Sequence, residues 1–355
     1  KTSQCLMLKE ALSADCSVIS NSRSNYNSRV GMLHLLANTP AATDVVVIEA
    51  AVSAINAPKF QNIRLVRPDI CIITNIAPSH MRSGEQGVDT VARRKANIVE
   101  GMSKGGILLL NREIDYYEIF RERAAQRGVH LVTYGQSPDA DVRLLAYDQT
   151  NGRVSAQLPQ GQKIEYRITA PRLHMAMNSL AALAVKKLLG GPLKPFLAAI
   201  EKFQPLTGRG ETRAVDFAGK PLTIVDESYN ANPVSMRAAI ATFGAMPTAG
   251  RRILILGDML ELGPDAPRYH QELAPQLRAI APDTVLLCGD LMEYLWDELK
   301  TDVKSASTST YYRNAMSLLK DIERHLRSGD TILLKASNSI GFGKILDHLS
   351  RTPAV

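Results

Sequence analysis

Four apolar runs in the second half of the chain, at residues 222–226, 252–258, 283–289 and 330–335, recur with helix-length segments between them. Each is a short stretch rich in Leu, Ile and Val. Unbroken hydrophobicity in a strand implies that both of its faces are covered, as in a parallel sheet flanked by helices. The pattern predicts a Rossmann-like α/β arrangement. It contains no G-x-G-x-x-G, so it indicates the fold without indicating a dinucleotide. The first run leads into a polar, turn-prone loop, and Pro233 is well placed to open the helix that follows. Loops at the carboxyl ends of such strands are where open α/β sheets bind ligands.

The first half repeats the alternation at 44–49, 69–75, 106–111 and 129–134. A helix is predicted over 3–12, and an amphipathic one over 88–102. From 140 to 169 the pattern changes to short alternating segments with a hairpin signal at Asn151-Gly152, a small antiparallel excursion from a parallel domain. Residues 171–189 return to helix, with His174 and Asn178 four apart on one face. The segment 203–211 carries Pro205, Gly208 and Gly210 between a helix and a new strand, and is the domain boundary. The expected domains are 1–204 and 205–355.

With 355 residues, 45% hydrophobic and 22% charged, the chain has ordinary globular composition. No apolar run approaches the ~20 residues that span a bilayer, and the opening residues show no signal-peptide pattern. The cysteines at 5, 16, 71 and 288 form no C-x-x-C pair and no metal spacing. Buried free thiols in a reducing cytoplasm are expected. The formal charge of +7 comes from scattered basic residues. It suits small anions such as nucleotides as well as nucleic acid and decides nothing alone.

Two motifs occur together: Asp226-Glu227-Ser228-Tyr229-Asn230-Ala231-Asn232-Pro233 and, further on, Leu256-Gly257-Asp258-Met259-Leu260-Glu261-Leu262-Gly263. Together they resemble the Mur ligases, and among them the branch that adds D-alanyl-D-alanine. The resemblance implies a P-loop-type parallel-sheet ATPase domain followed by the Rossmann-like domain. It also implies a reaction in two steps. ATP phosphorylates a substrate carboxylate to an acyl phosphate, which an amine then attacks to give an amide. Both transition states gather negative charge and require cations placed in advance.

The same resemblance implies the site. Lys1 and Thr2 match the end of a Walker A loop, with the lysine on the β/γ-phosphates and the threonine on Mg²⁺. Asn25 and Asn27 match a loop that contacts the acceptor substrate. Glu49 and His80 match Mg²⁺ ligands, and Lys95 matches a carbamylated lysine at the metal site. There, Arg93 and Arg94 are expected to favour the neutral amine and the carbamate. Asn178 matches the residue that reads adenine, and Arg209 an arginine that reaches the ATP phosphates. Asp226 and Asn230 match nucleotide contacts, while Lys335 and Ser337 match residues facing the incoming amine. Closure about 203–211 is expected before chemistry.

Each of these residues also has an ordinary reading as a turn, a strand-end acid, a linker charge or a solvated helix face. Two departures from the family pattern stand out. Met81-Arg82 replaces an expected acid after His80, and Ala336 replaces a glycine, which would strain the chain if φ were positive there. The absent P-loop glycines and sugar-nucleotide domain suggest a C-terminal piece of a longer protein. The expected function is a cytoplasmic peptidoglycan-precursor ligase with ATP and Mg²⁺ as cofactors and small peptide substrates, and without nucleic-acid or membrane partners. The alternatives are an amide ligase of a larger multidomain protein acting on another substrate, and a nucleotide-binding module without catalysis.

Overall fold

In the computed structural model, residues 1–21, 27–78, 88–169 and 172–350 are described. They fall into two compact units, one comprising Lys1–Ile76 with the chain from 88 to Gln204, the other comprising Ala77 and Pro78 with the chain from Pro205. The first unit runs α1 (Thr2–Leu12), β1 (Val18–Ser20), α2 (Arg29–Ala37), β2 (Val45–Val47), α3 (Val52–Ile55), α4 (Gln61–Val66), β3 (Ile70–Ile73) and α5 (Val88–Ala96). It continues β4 (Ile107–Asn111), α6 (Tyr117–Arg127), β5 (His130–Gly135), β6 (Val142–Tyr147), β7 (Arg153–Gln157), β8 (Lys163–Arg167), α7 (Leu173–Leu189) and α8 (Leu193–Lys202).

Its main sheet has the order β3-β4-β5-β6-β7-β8. The first four strands are parallel, and β6, β7 and β8 pair antiparallel. Successive residues of β4 point to opposite faces. Leu109 packs with Leu8, Leu180 and Leu183 from α1 and α7, while Leu108 and Leu110 pack with Ala92 and Phe120 from α5 and α6. Two elements differ from the sequence expectation. The run at 44–49 pairs with β1 alone among the described residues, as a separate two-stranded ladder, and its first two strand residues are only half-buried. The helix expected over 88–102 ends at Ala96 and tightens into a 3₁₀ turn, Asn97–Gly101. Gly101 sits so close to α4 that an added Cβ would lie 2.1 Å from the Ile63 carbonyl oxygen.

The second unit runs β9 (Glu211–Phe217), β10 (Lys220–Glu227), α9 (Pro233–Ala245), β11 (Arg252–Gly257), α10 (Ala266–Gln271), α11 (Ala274–Ile280), β12 (Thr284–Cys288) and α12 (Met292–Leu299). It ends α13 (Val303–Thr308), β13 (Ser309–Tyr312), α14 (Ala315–Asp321), β14 (Thr331–Lys335) and α15 (Phe342–Leu349). The sheet order is β13-β12-β11-β14-β10-β9, parallel except for β9 at one edge. Helices α9 to α12 cover the face of Leu254 and Leu256, whereas α14 and α15 cover the face of Ile253 and Ile255. The helices after β11 and β14, neighbouring strands, therefore lie on opposite faces. Their carboxyl ends form a topological switch point, the usual place for a ligand crevice in an open α/β sheet.

Candidate functional site

In the first unit, the polar groups gather around Glu49, just beyond the end of β2. Its side chain is 4% exposed. Asn21 fixes the backbone there, donating to the Glu49 carbonyl at 3.0 Å and accepting from its N–H at 2.8 Å. The carboxylate Oε1 accepts from Asn27 Nδ2 at 3.1 Å, and Lys1 Nζ lies 4.0 Å from the same oxygen. Lys1 also donates to the Ala50 carbonyl at 3.4 Å. Lys1 is the N-cap of α1, and buried Thr2 is its first residue, so the amino end of that helix is set beside the strand-end acid. The Glu49 carboxylate is an anionic group suited to a hard cation.

Lys95, on α5, belongs to the same electrostatic neighbourhood. It is half-buried, and Nζ donates to the Asn75 carbonyl at 3.0 Å. Burial, reinforced by the charge of Lys1, lowers its pKa to about 8. The structure thus places the cause of the depression in burial and Lys1. Arg93 and Arg94, to which the sequence reading assigned it, do not supply it, and Arg93 lies 3.8 Å from Asp89 on the solvent side. Asn178 lies half-buried on α7, its amide 3.9 Å from the Met175 sulfur. Asn25, His80 and the Met81-Arg82 departure lie outside the described residues. No group of three or more His, Cys, Asp or Glu that would hold a metal occurs among the described residues.

In the second unit, Asp226 is completely buried at the end of β10. Its Oδ2 accepts from Gly208 N–H at 2.7 Å, and its Oδ1 accepts from the Ser228 N–H at 3.0 Å and the Ser228 hydroxyl at 2.6 Å. The side chain assigned to the nucleotide is thus consumed in joining two loops. Asn230 turns its Oδ1 onto the next N–H, that of Ala231, at 2.9 Å. Asn232 and Ser235 form a reciprocal capping box, with Pro233 as the first residue of α9. Arg209 lies with Cζ 3.8 Å from the centre of the Tyr229 ring.

Lys335 is 1% exposed, so its ammonium does not face an open surface. It donates to Glu227 Oε2 at 3.3 Å and to the Asn230 carbonyl at 3.1 Å, tying β14 to the loop after β10. Ser337 crosses the switch point. Its N–H donates to the Asp258 carbonyl at 3.0 Å, and its hydroxyl accepts from the Leu260 N–H at 2.9 Å. Ala336 does not have a left-handed backbone, so the strain expected of an alanine there is absent.

The sequence reading passed over several residues that build this region. Asp258 accepts from the N–H of Met292, the first residue of α12, at 2.8 Å, and burial raises its pKa. Gly289, with φ +117°, makes room for it: a Cβ there would lie 2.4 Å from the Asp258 carboxyl carbon. Fully buried His270 accepts from the Met259 N–H at 3.0 Å through Nε2. Its Nδ1 lies 2.6 Å from the Ala266 carbonyl, which fixes the Nδ1–H tautomer, and burial lowers its pKa. Only Asp258 carried a signal, its place in the second motif.

Two family models match the chain: the Mur ligase middle domain over residues 1–186, and the Mur ligase, glutamate ligase domain over residues 208–338. Among curated relatives, the UDP-N-acetylmuramoyl-tripeptide–D-alanyl-D-alanine ligase of Rickettsia prowazekii is 26% identical over 98% of this chain and 75% of its own length. The enzyme of the same name from Bacillus subtilis is 27% identical over 93% of this chain and 69% of its own. Among solved structures, MurF from Acinetobacter baumannii superposes with a TM-score of 0.81 at 21% identity, over 99% of this chain and 74% of that one. MurF from Thermotoga maritima, solved in complex with ADP, gives 0.80 at 19% identity, over 98% of this chain and 77% of that one. With a family model spanning more than half of its length, and with the strand-end acid set beside the amino-terminal helix as described, the chain belongs to the Mur ligase family.

Proposed function

We propose that this chain carries the ligase chemistry of an ATP-dependent enzyme that joins D-alanyl-D-alanine to a UDP-N-acetylmuramoyl-tripeptide in the cytoplasm. The names of the curated relatives support the substrates. The observation that carries the chemistry is Lys1, at the amino end of α1, set 4.0 Å from the buried Glu49 carboxylate, with its charge felt at Lys95. A carboxylate oxygen of the tripeptide attacks the γ-phosphorus of ATP, the bond to the β-phosphate oxygen breaks, and ADP leaves. The dipeptide amine then attacks the acyl carbon. The carbon–oxygen bond to phosphate breaks, and the amine proton passes to solvent.

In this reading, Lys1 meets the β/γ-phosphates, Arg209 supplies a second cation, a guanidinium, and Asn178 reads the adenine. The Glu49 carboxylate and the Thr2 hydroxyl would hold Mg²⁺, which when bound neutralises phosphate charge. The almost fully buried Glu49, whose Oε1 is engaged by Asn27, supports that assignment. With a pKa of about 8, Lys95 is about one-tenth neutral near pH 7, which is the form that adds to CO₂ with loss of a proton. The resulting carbamate would supply a further anionic oxygen to the metal site. Residues 1–204 form the ATP-binding domain of this reading, and residues 205–355 the C-terminal ligase domain.

The test is phosphate release from ATP by the chain expressed with whatever sequence adjoins it in its gene. UDP-muramoyl tripeptide and D-Ala-D-Ala are supplied separately and then together. Release that requires both is the expected result. ATP binding without release under any combination would point to another amide substrate, and failure to bind ATP would end the ligase reading.

A further inference from the structure

Among the described residues, Arg209 has no carboxylate counter-ion. Nearby Glu211 is engaged by Arg213 at 2.7 Å and Thr207 at 3.1 Å. What holds Arg209 is a ring. Its Cζ lies 3.8 Å from the Tyr229 centroid, the shortest cation–ring approach among the described residues. We infer that Tyr229 is a positioning residue for Arg209, an aromatic platform that orients the guanidinium without neutralising it. This rests on the assignment of Arg209 to the ATP phosphates.

The backbone is built to bring the two together. Tyr229 N–H donates to the Gly208 carbonyl at 3.1 Å, and Gly208 N–H donates to Asp226 Oδ2 at 2.7 Å. Gly210 N–H donates to the Asp226 carbonyl at 2.7 Å. Gly208 has φ +78°, and a Cβ on it would lie 2.9 Å from Tyr229 Cβ. Only glycine permits this approach, and it delivers the next side chain onto the ring face. An acid in place of the ring would also hold an arginine, but it would cancel the charge and occupy the N–H fork that a phosphate needs. A ring binds the face of the guanidinium and leaves the donors at its edge available.

The test is a double-mutant cycle on the full polypeptide, read as ATP affinity and as kcat/KM for ATP. Tyr229→Leu should weaken ATP binding by about fivefold, the scale of one stacked cation. Tyr229→Phe should restore it, and Tyr229→Leu should add nothing in an Arg209→Ala background. The Arg209 Nε–H resonance should show a ring-current shift in the parent and in Tyr229→Phe that disappears in Tyr229→Leu. Arg209→Lys, which keeps charge but not the planar stack, approaches the same contact should the leucine variant not fold. If Arg209→Ala changes neither affinity nor turnover, the phosphate assignment fails and the positioning role falls with it. If Arg209→Ala is costly while Tyr229→Leu is silent, or is equally costly in both backgrounds, only the positioning role is overturned.

Discussion

The methyl group of Ala336 occupies the space that any side chain at Gly257 would need. A Cβ on Gly257 would lie 2.8 Å from Ala336 Cβ, 2.9 Å from Phe342 and 3.1 Å from Ile340. The two residues sit on neighbouring strand ends at the switch point, where the backbones of β11 and β14 diverge. Gly257→Ala should therefore lower stability by about 1–3 kcal/mol through overpacking. Adding Ala336→Gly should recover part of that loss, as measured by urea unfolding of the single and double variants.

His270 should make stability pH-dependent with a definite sign. Burial holds its folded-state pKa below the ordinary value of 6.5, so below that pH the unfolded chain takes up a proton that the folded chain refuses. Its contribution is complete above 6.5 and is lost as pH falls below it. Asp258, whose folded pKa is raised, contributes the opposite slope in acid. Comparison with His270→Gln isolates the histidine: the stability advantage of the parent over the variant should shrink between pH 7 and 5 in denaturant titrations.

Removing Lys335 should be costly because of what it leaves behind. Glu227, with its side chain 13% exposed, would lose its buried cation, and the Asn230 carbonyl would lose a donor. Lys335→Met should destabilise the fold by about 3–5 kcal/mol. Lys335→Met with Glu227→Leu should be distinctly more stable than the single variant. A single variant as stable as the parent would show that the pair contributes nothing to this loop.

Glu49 and Asn27 should separate by magnitude. Glu49→Gln removes the anionic oxygens and should lower turnover by about 10²-fold or more, the scale of a preorganised charge at a reacting phosphate. Asn27→Ala leaves the carboxylate but frees its Oε1, and should cost roughly tenfold in Mg²⁺ affinity, as for partners that orient a ligand. Mg²⁺ titrations of phosphate release, with thermal unfolding as the control for folding, measure both.

The α/β class and the family were legible in the chain, for separate physical reasons. Unbroken apolar runs such as 252–258 and 330–335 mark strands whose environment is decided locally, by burial on both faces. The two motifs carried the family because they are contiguous loops at strand ends. Strands β9 and β13 were harder to read. β9, Glu-Thr-Arg-Ala-Val-Asp-Phe, mixes charged, polar and apolar residues at a sheet edge without strict alternation, and β13 is the short polar run Ser-Thr-Tyr-Tyr.

What each polar residue touches was decided only in three dimensions. Nothing near Asp226 in the sequence shows that its carboxylate is used by Gly208, eighteen residues away, or that Lys335 spends its charge on Glu227, 108 residues away. Local sequence sets which residues are polar and which strand ends they occupy. The pairing of those ends, across β10, β14 and β11, selects their partners. A buried charge takes whatever donor or acceptor the fold brings within about 3 Å, because leaving it unpaired costs more than any local preference.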